Sequence, residues 1–331
     1  MSDPISLIPE VPQVLRESAQ RGTLIPFIGA GASRLAGCPN WSELADRALR
    51  VFVESGKFSY SQLAQVGNLT PRVKLSVALG LQAEHKLKID FGTLLAPKDG
   101  YNNAFGRRLF GSLAKLGKTF VTTNYDSWLD TEFSETGNVV SSPDQSVAQS
   151  STPTRRITFD SVDDFTPANL NKPNTVFHLH GSLNNPNNMV ITTKHYVQRY
   201  ANDRNNVDPT KENRTLTFLE HLFANKTVLF IGYGLEELEI LEYVVQKSHL
   251  LPEGEREARH FLLQGFYSHE FELMRSLTQY YRDCDIQLLP FLKDRKDWSQ
   301  LFEVLESFSL SIQASDLLHV QELQEMEALL D

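Results

Sequence analysis

Short apolar runs and longer amphipathic stretches alternate along this chain. Three runs, "TLIPFIG" (23–29), "KTFVTTN" (118–124) and "TVLFIGYG" (227–234), hold apolar residues at consecutive positions. That is the pattern of a strand covered on both faces, as in a parallel sheet. "TVFHLHG" (175–181) is a partly polar fourth, and "HFLLQGF" (260–266) and "DIQLLPF" (285–291) are two more. Between them "WSELADRALRVFVESG", "SWLDTEF" and "LEELEILEYVVQKSHL" read as helices. Strands alternating with helices predict an α/β fold with a doubly wound, mostly parallel sheet.

Two segments depart from the alternation. Residues from about 42 to 117 are mostly helical and predict an insertion or cap; residues 135–160, rich in Ser, Thr, Pro and Gln, predict a long loop or hairpin. The expected division is one domain over 1–310 and an amphipathic helix over 311–331. That helix carries Leu317, Val320, Leu323, Met326 and Leu330 as a stripe for packing on the domain or for assembly.

Composition narrows the class. With 41% hydrophobic and 10% aromatic residues, the 331-residue chain has the make-up of a soluble globular protein. No apolar run is long enough for a membrane span, and no secretory signal is evident at the start, so the cytoplasm is the expected location. A net charge of −9 argues against direct nucleic-acid binding. Two cysteines, Cys38 and Cys284, supply neither a disulfide framework nor a four-cysteine zinc site, and no metal is expected.

The first run stops at Gly29-Ala30-Gly31-Ala32-Ser33. Glycines at a strand end let a backbone pass close to a ligand, and a following helix offers N–H groups to phosphate. The dinucleotide fingerprint G-x-G-x-x-G is incomplete, because Arg34 holds the third glycine's place. Near Gly117-Lys118-Thr119 a phosphate-loop pattern fails too, since Ser112 replaces its first glycine and a strand follows it. Three other strand ends are equally unusual: Asn124 and Asp126, His180-Gly181, and Gly232-Tyr233-Gly234. In open parallel sheets ligands bind beyond the carboxyl ends of the strands, so the four ends predict one crevice.

In that order, G-A-G-x-S, T-x-N-x-D, H-G and a G-x-G-like end resemble the sirtuin fold, which is Rossmann-like, over roughly residues 20 to 310. Two departures stand out. "CPNWSEL" replaces the Pro-Asp-Phe-Arg segment of deacylase sirtuins, and residues 182–231 hold no cysteine for their zinc module. "GCPNWSEL", "MVITTKHYVQRYA" and "LFIGYGLEELEILEYV" are instead similar to divergent, zinc-free sirtuin-like domains of bacterial antiphage defence. That resemblance implies NAD+ hydrolysis under a sensing partner, fused or separate: an Argonaute-type protein, a HerA-class ATPase or a C-terminal ligand-binding domain. For this chain the expectation is a homo-oligomer with a separate partner, such as a HerA-class ATPase or an Argonaute-type protein.

On that reading the amides of Gly29 to Ser33 hold the pyrophosphate, and the Ser33 hydroxyl adds a bond. Asn124 orients a water or a ribose hydroxyl. By resemblance Asp126 holds the nicotinamide carboxamide, His180 is the base, and Gly232, Tyr233 and Gly234 let the rest of the dinucleotide approach. Plainer readings stand beside these. Asn124 suits a left-handed turn, Asp126 suits a cap on "SWLDTEF", His180 suits a structural bond, and Trp41 suits a lid or the core. His178 and His180, two apart, are too few for a metal site. A deacylase, an ADP-ribosyltransferase and a nucleotide-binding scaffold are the competing functions.

Overall fold

A computed structural model of the chain describes residues 5–98, 100, 103–132, 154–200, 213–233 and 260–313. All six apolar runs form strands: β1 Leu24–Ile28, β2 Thr119–Thr122, β6 Thr175–His178, β7 Thr227–Ile231, β8 His260–Phe266 and β9 Ile286–Leu292. They lie in one seven-stranded sheet whose pairings are all parallel, in the order β5-β6-β2-β1-β7-β8-β9. The edge strand β5, Ile157–Phe159, comes from the segment expected to be a loop or hairpin. Just before it, β4 (Thr154–Arg155) pairs antiparallel with β3 (Thr131–Glu132).

Consecutive apolar residues do cover both faces. Leu24 and Ile28 of β1 pack into one core with Phe120, Leu229, Phe261 and Phe308. Ile25 and Phe27 point the other way, into a second core with Phe177, Phe218, Phe230 and Leu262. The edge strand aside, the order is that of the doubly wound nucleotide-binding sheet. Its crossing from β6 to β7 opens a crevice at the carboxyl ends of β1 and its neighbours.

The insertion is helical, with α1 (Gln13–Gln20) and α2 (Ala30–Leu35) preceding α3 (Trp41–Glu54), α4 (Tyr60–Gln65), α5 (Pro71–His85), α6 (Phe91–Leu95) and α7 (Ala104–Ala114). Asn40 starts α3 with a capping box: its Oδ1 accepts from the Glu43 amide at 2.8 Å, and Glu43 accepts from the Asn40 amide at 3.1 Å. Leu44, Leu49, Phe52 and Leu75 form a third core that also takes in Tyr125, so the cap is seated on the end of β2.

"SWLDTEF" is not a helix. Trp128 is fully buried and stacked on Phe110 with centroids 5.2 Å apart, and Arg156 binds the carbonyls of Leu129 and Thr131. These tertiary contacts hold the segment as a turn running into β3. "LEELEILEYVVQKSHL", from 235 on, and the stripe at 317–330 lie outside the described residues.

Candidate active site

At the end of β1 the glycine loop closes onto β7. Gly29 N–H donates to the Ile231 carbonyl at 2.8 Å, Gly31 N–H to the Gly232 carbonyl at 2.8 Å, and Ala32 N–H to the Gly29 carbonyl at 3.3 Å. Three of the amides expected to face a pyrophosphate are therefore engaged inside the protein. Ala30, first in α2, has no intrahelical partner for its N–H and borders the cleft. A side chain at Gly31 would sit 2.8 Å from the Gly232 oxygen. One at Gly232, whose φ is +66°, would sit 2.5 Å from the Ala32 nitrogen. The two glycine motifs thus make room for each other. The Tyr233 ring packs edge-on against Phe27 and Phe230, at 5.3 and 5.4 Å, on the core side. Gly234 lies outside the described residues.

The end of β2 is locked to the same loop. Asn124 Nδ2 donates to the Gly29 carbonyl at 3.0 Å and to Ser33 Oγ at 2.7 Å, which uses both amide hydrogens and leaves the carbonyl oxygen. The Ser33 hydroxyl in turn donates to the Asp126 carboxylate. Asp126 Oδ1 also accepts from the Trp128 amide at 3.1 Å, as a turn and not a helix cap. Burial pushes the Asp126 carboxyl above its usual value, against the pull of these two donors and of His178. Amide, hydroxyl and carboxylate form one buried chain.

A cleft of about 390 Å³, its open mouth included, has Ala30, Ser33, Trp41, Asn124, Tyr125 and Asp126 in its lining. Trp41 meets Tyr125 edge-on at 5.7 Å, so it both walls the cleft and packs on the cap. Thr123 Oγ1, at the same wall, is buried with no partner among the described residues. Cys38 is there too, but burial and the Asp126 charge drive its thiol far above the range in which it ionises.

The two histidines have separate surroundings. His178, fully buried, places Nδ1 2.8 Å from the Asn124 carbonyl and Nε2 2.9 Å from Asp130 Oδ1. Its Nε2 faces an acid, whereas that of His180 lies 2.8 Å from the Tyr200 hydroxyl, with Tyr196 edge-on at 5.0 Å. Burial, then Arg199 and Arg72, bring His180 down to about 3 despite a bond to the Thr123 carbonyl, so its ring is neutral. Tyr196, Arg199 and Tyr200 come from α9 (Thr193–Tyr200), and Arg72 of α5 lies over the Tyr196 ring at 3.8 Å. His180 stands beside Tyr125, centroids 6.5 Å apart, and is not in the lining of the described cleft.

Residues 118–283, half of the chain, match the family model of a SIR2-like domain. The chain belongs to the SIR2-like family. SIR2-like domains use NAD+. A search of curated proteins finds no relative that matches. Within the SIR2-like segment fall Asn124, Asp126, His178, His180 and Gly232; the glycine loop on β1 precedes it and completes the cleft in space. The Ala30 amide at the start of α2 and the Thr123 hydroxyl, beside apolar Trp41 and Tyr125, suit a ligand that carries both phosphate and flat rings. No group of metal-ligating side chains occurs among the described residues, and none of their helices is long and apolar enough to cross a membrane.

Sequence reasoning missed the Ser33–Asp126 bond, the His178–Asp130 pair and the tyrosine surround of His180. One signal was available: Tyr196 and Tyr200 are four apart, on one face of a helix.

Proposed function

We propose that this chain is a NAD+ hydrolase. Water adds to the ribose carbon as the bond to nicotinamide breaks, giving nicotinamide, ADP-ribose and a proton. The observation that carries this reading is the fixed Asn124 amide: with both hydrogens bound, it offers an oxygen where positive charge grows on the ribose. Asp126, two residues on, would hold the carboxamide, and Ala30 and Ser33 the phosphates. Trp41 and Tyr125 would keep bulk water out.

His180 is a weak base at about 3, yet the reaction asks for little. Nicotinamide leaves as a neutral molecule. A water bonding to an oxocarbenium-like carbon becomes strongly acidic, so a neutral imidazole suffices to take its proton late, once the Tyr200 hydroxyl gives up Nε2. The role proposed for the activity is that of a NAD+-depleting effector in bacterial antiphage defence, acting in the cytoplasm as a homo-oligomer. A separate partner, a HerA-class ATPase or an Argonaute-type protein, would gate it, since an ungated hydrolase would kill its host.

The test is NAD+ loss by the purified chain, alone and with candidate partners, beside Asn124→Ala and His180→Ala. Each variant is expected to lower turnover by about 10²- to 10⁴-fold while the fold is kept. The bond between His180 and Tyr200 favours a second reading, a scaffold that binds NAD+ or ADP-ribose without consuming it. NAD+ bound and recovered intact under every condition would select that reading.

A further inference from the structure

Beneath the cleft lies a polar unit that the proposed chemistry does not use. His178 closes β6, and its two ring nitrogens reach the Asn124 carbonyl and Asp130 Oδ1. The other carboxylate oxygen, Oδ2, accepts from Asn184 Nδ2 at 3.0 Å. His178 and Asp130 are 0% and 2% exposed, so no water shares these bonds freely. A carbonyl oxygen only accepts, and an ionised carboxylate only accepts. Both ring nitrogens are thus placed to donate, and the bond to Asp130 raises His178 above the value of an ordinary histidine.

We infer that the His178–Asp130 pair is a positioning device for Asn124: it anchors the backbone of the residue whose side chain enters the cleft. Asn124 is then held at three points, by its carbonyl to His178, by its amide nitrogen to Thr122 Oγ1 at 3.0 Å, and by its side chain to Gly29 and Ser33. Thr122 Oγ1 itself donates to the Ile28 carbonyl at 2.8 Å. Every approach to Asn124 is thereby tied to β1 or β6, the strands on either side. The Asp126 charge also raises the His178 value. An apolar residue at 178 would take the donor from the Asn124 carbonyl and from Asp130 Oδ1, leaving the carboxylate only its bond from Asn184.

The inference rests on the hydrolase reading only for its kinetic arm. The test compares wild type, Asp130→Asn and Asp130→Ala. An asparagine donates to Nε2 of a neutral ring and leaves Nδ1–H on the Asn124 carbonyl, whereas alanine removes the anchor. Asp130→Ala is expected to lower kcat by about 10- to 100-fold with KM nearly unchanged, and Asp130→Asn to restore most of it. Nitrogen-15 spectra read the same geometry without turnover. His178 should show two protonated ring nitrogens at pH 8 in wild type, and the Asn124 side-chain amide signals should move in Asp130→Ala and not in Asp130→Asn. A neutral His178 in wild type, or unmoved Asn124 signals in a folded Asp130→Ala protein, overturns the inference. If Asp130→Ala does not fold, the wild-type ring signals decide. A wild type that leaves NAD+ intact but gives the expected spectra overturns the hydrolase reading and not the anchor.

Discussion

His178 and His180 stand two residues apart at one strand end, yet their surroundings shift them in opposite directions. His178 lies between an acid and a carbonyl, and although burial opposes its charge, the Asp130 bond and charge hold it above the usual histidine value. His180 lies among tyrosines with Arg199 and Arg72 nearby, and burial with these charges holds it at about 3. Both rings are buried, yet one is shifted up and the other down. Depth does not decide the protonation state; the partners available at that depth do.

The strongest challenge to this comparison is leucine at each site. His178→Leu takes the ion-pair partner from a buried carboxylate that keeps only its bond from Asn184, and should cost about 3–5 kcal/mol of unfolding free energy. His180→Leu removes the bonds to the Thr123 carbonyl and the Tyr200 hydroxyl but breaks no ion pair, and should cost about 1–3 kcal/mol. Urea unfolding of the two variants reads the difference, and equal losses would break the contrast.

Acid sharpens it further. The folded value of His180 lies below the roughly 6.5 of an unfolded histidine. Its contribution is intact above about pH 6.5 and is lost as pH falls toward 3, where the unfolded chain takes up a proton and the folded one does not. His178 has the opposite sign: its contribution is present below about 6.5 and is lost as pH rises through its folded value. Unfolding midpoints measured from pH 7 to 4 should fall less steeply for His180→Leu than for wild type. Parallel slopes would mean that His180 titrates normally.

The smallest expected effect is that of Tyr200→Phe. The Thr123 carbonyl takes one ring hydrogen of His180, so the Tyr200 hydroxyl donates to the other nitrogen and favours the neutral form. Its removal should cost about 1 kcal/mol and move the His180 titration upward, which histidine resonances report directly.

Much of the sheet was legible because a strand buried on both faces has no alternative pattern: "TVLFI" and "LIPFI" are apolar throughout. The four strand ends were legible for the same reason, since each polar or glycine group breaks a long apolar run. What stayed hidden depends on neighbours distant in sequence. "SWLDTEF" has helical spacing, but the stacking of Trp128 on Phe110 overrides it. Gly31 and Gly232 looked like two ligand loops, and only the adjacency of β1 and β7 shows that each fills the other's space. His178 and His180 share one alternation, and nothing local says that one meets Asp130 and the other Tyr200.

The contact between Gly31 and Gly232 also bears on when the protein can act during its own synthesis. The two residues are roughly 200 positions apart, and the loop takes its shape from hydrogen bonds to Ile231 and Gly232. A nascent chain that has emerged only as far as β6 carries Asn124, Asp126 and His178, but its glycine loop has nothing to close against. On the proposed function, turnover waits until β7 has left the ribosome and docked beside β1, so unfinished chains are expected to be inert.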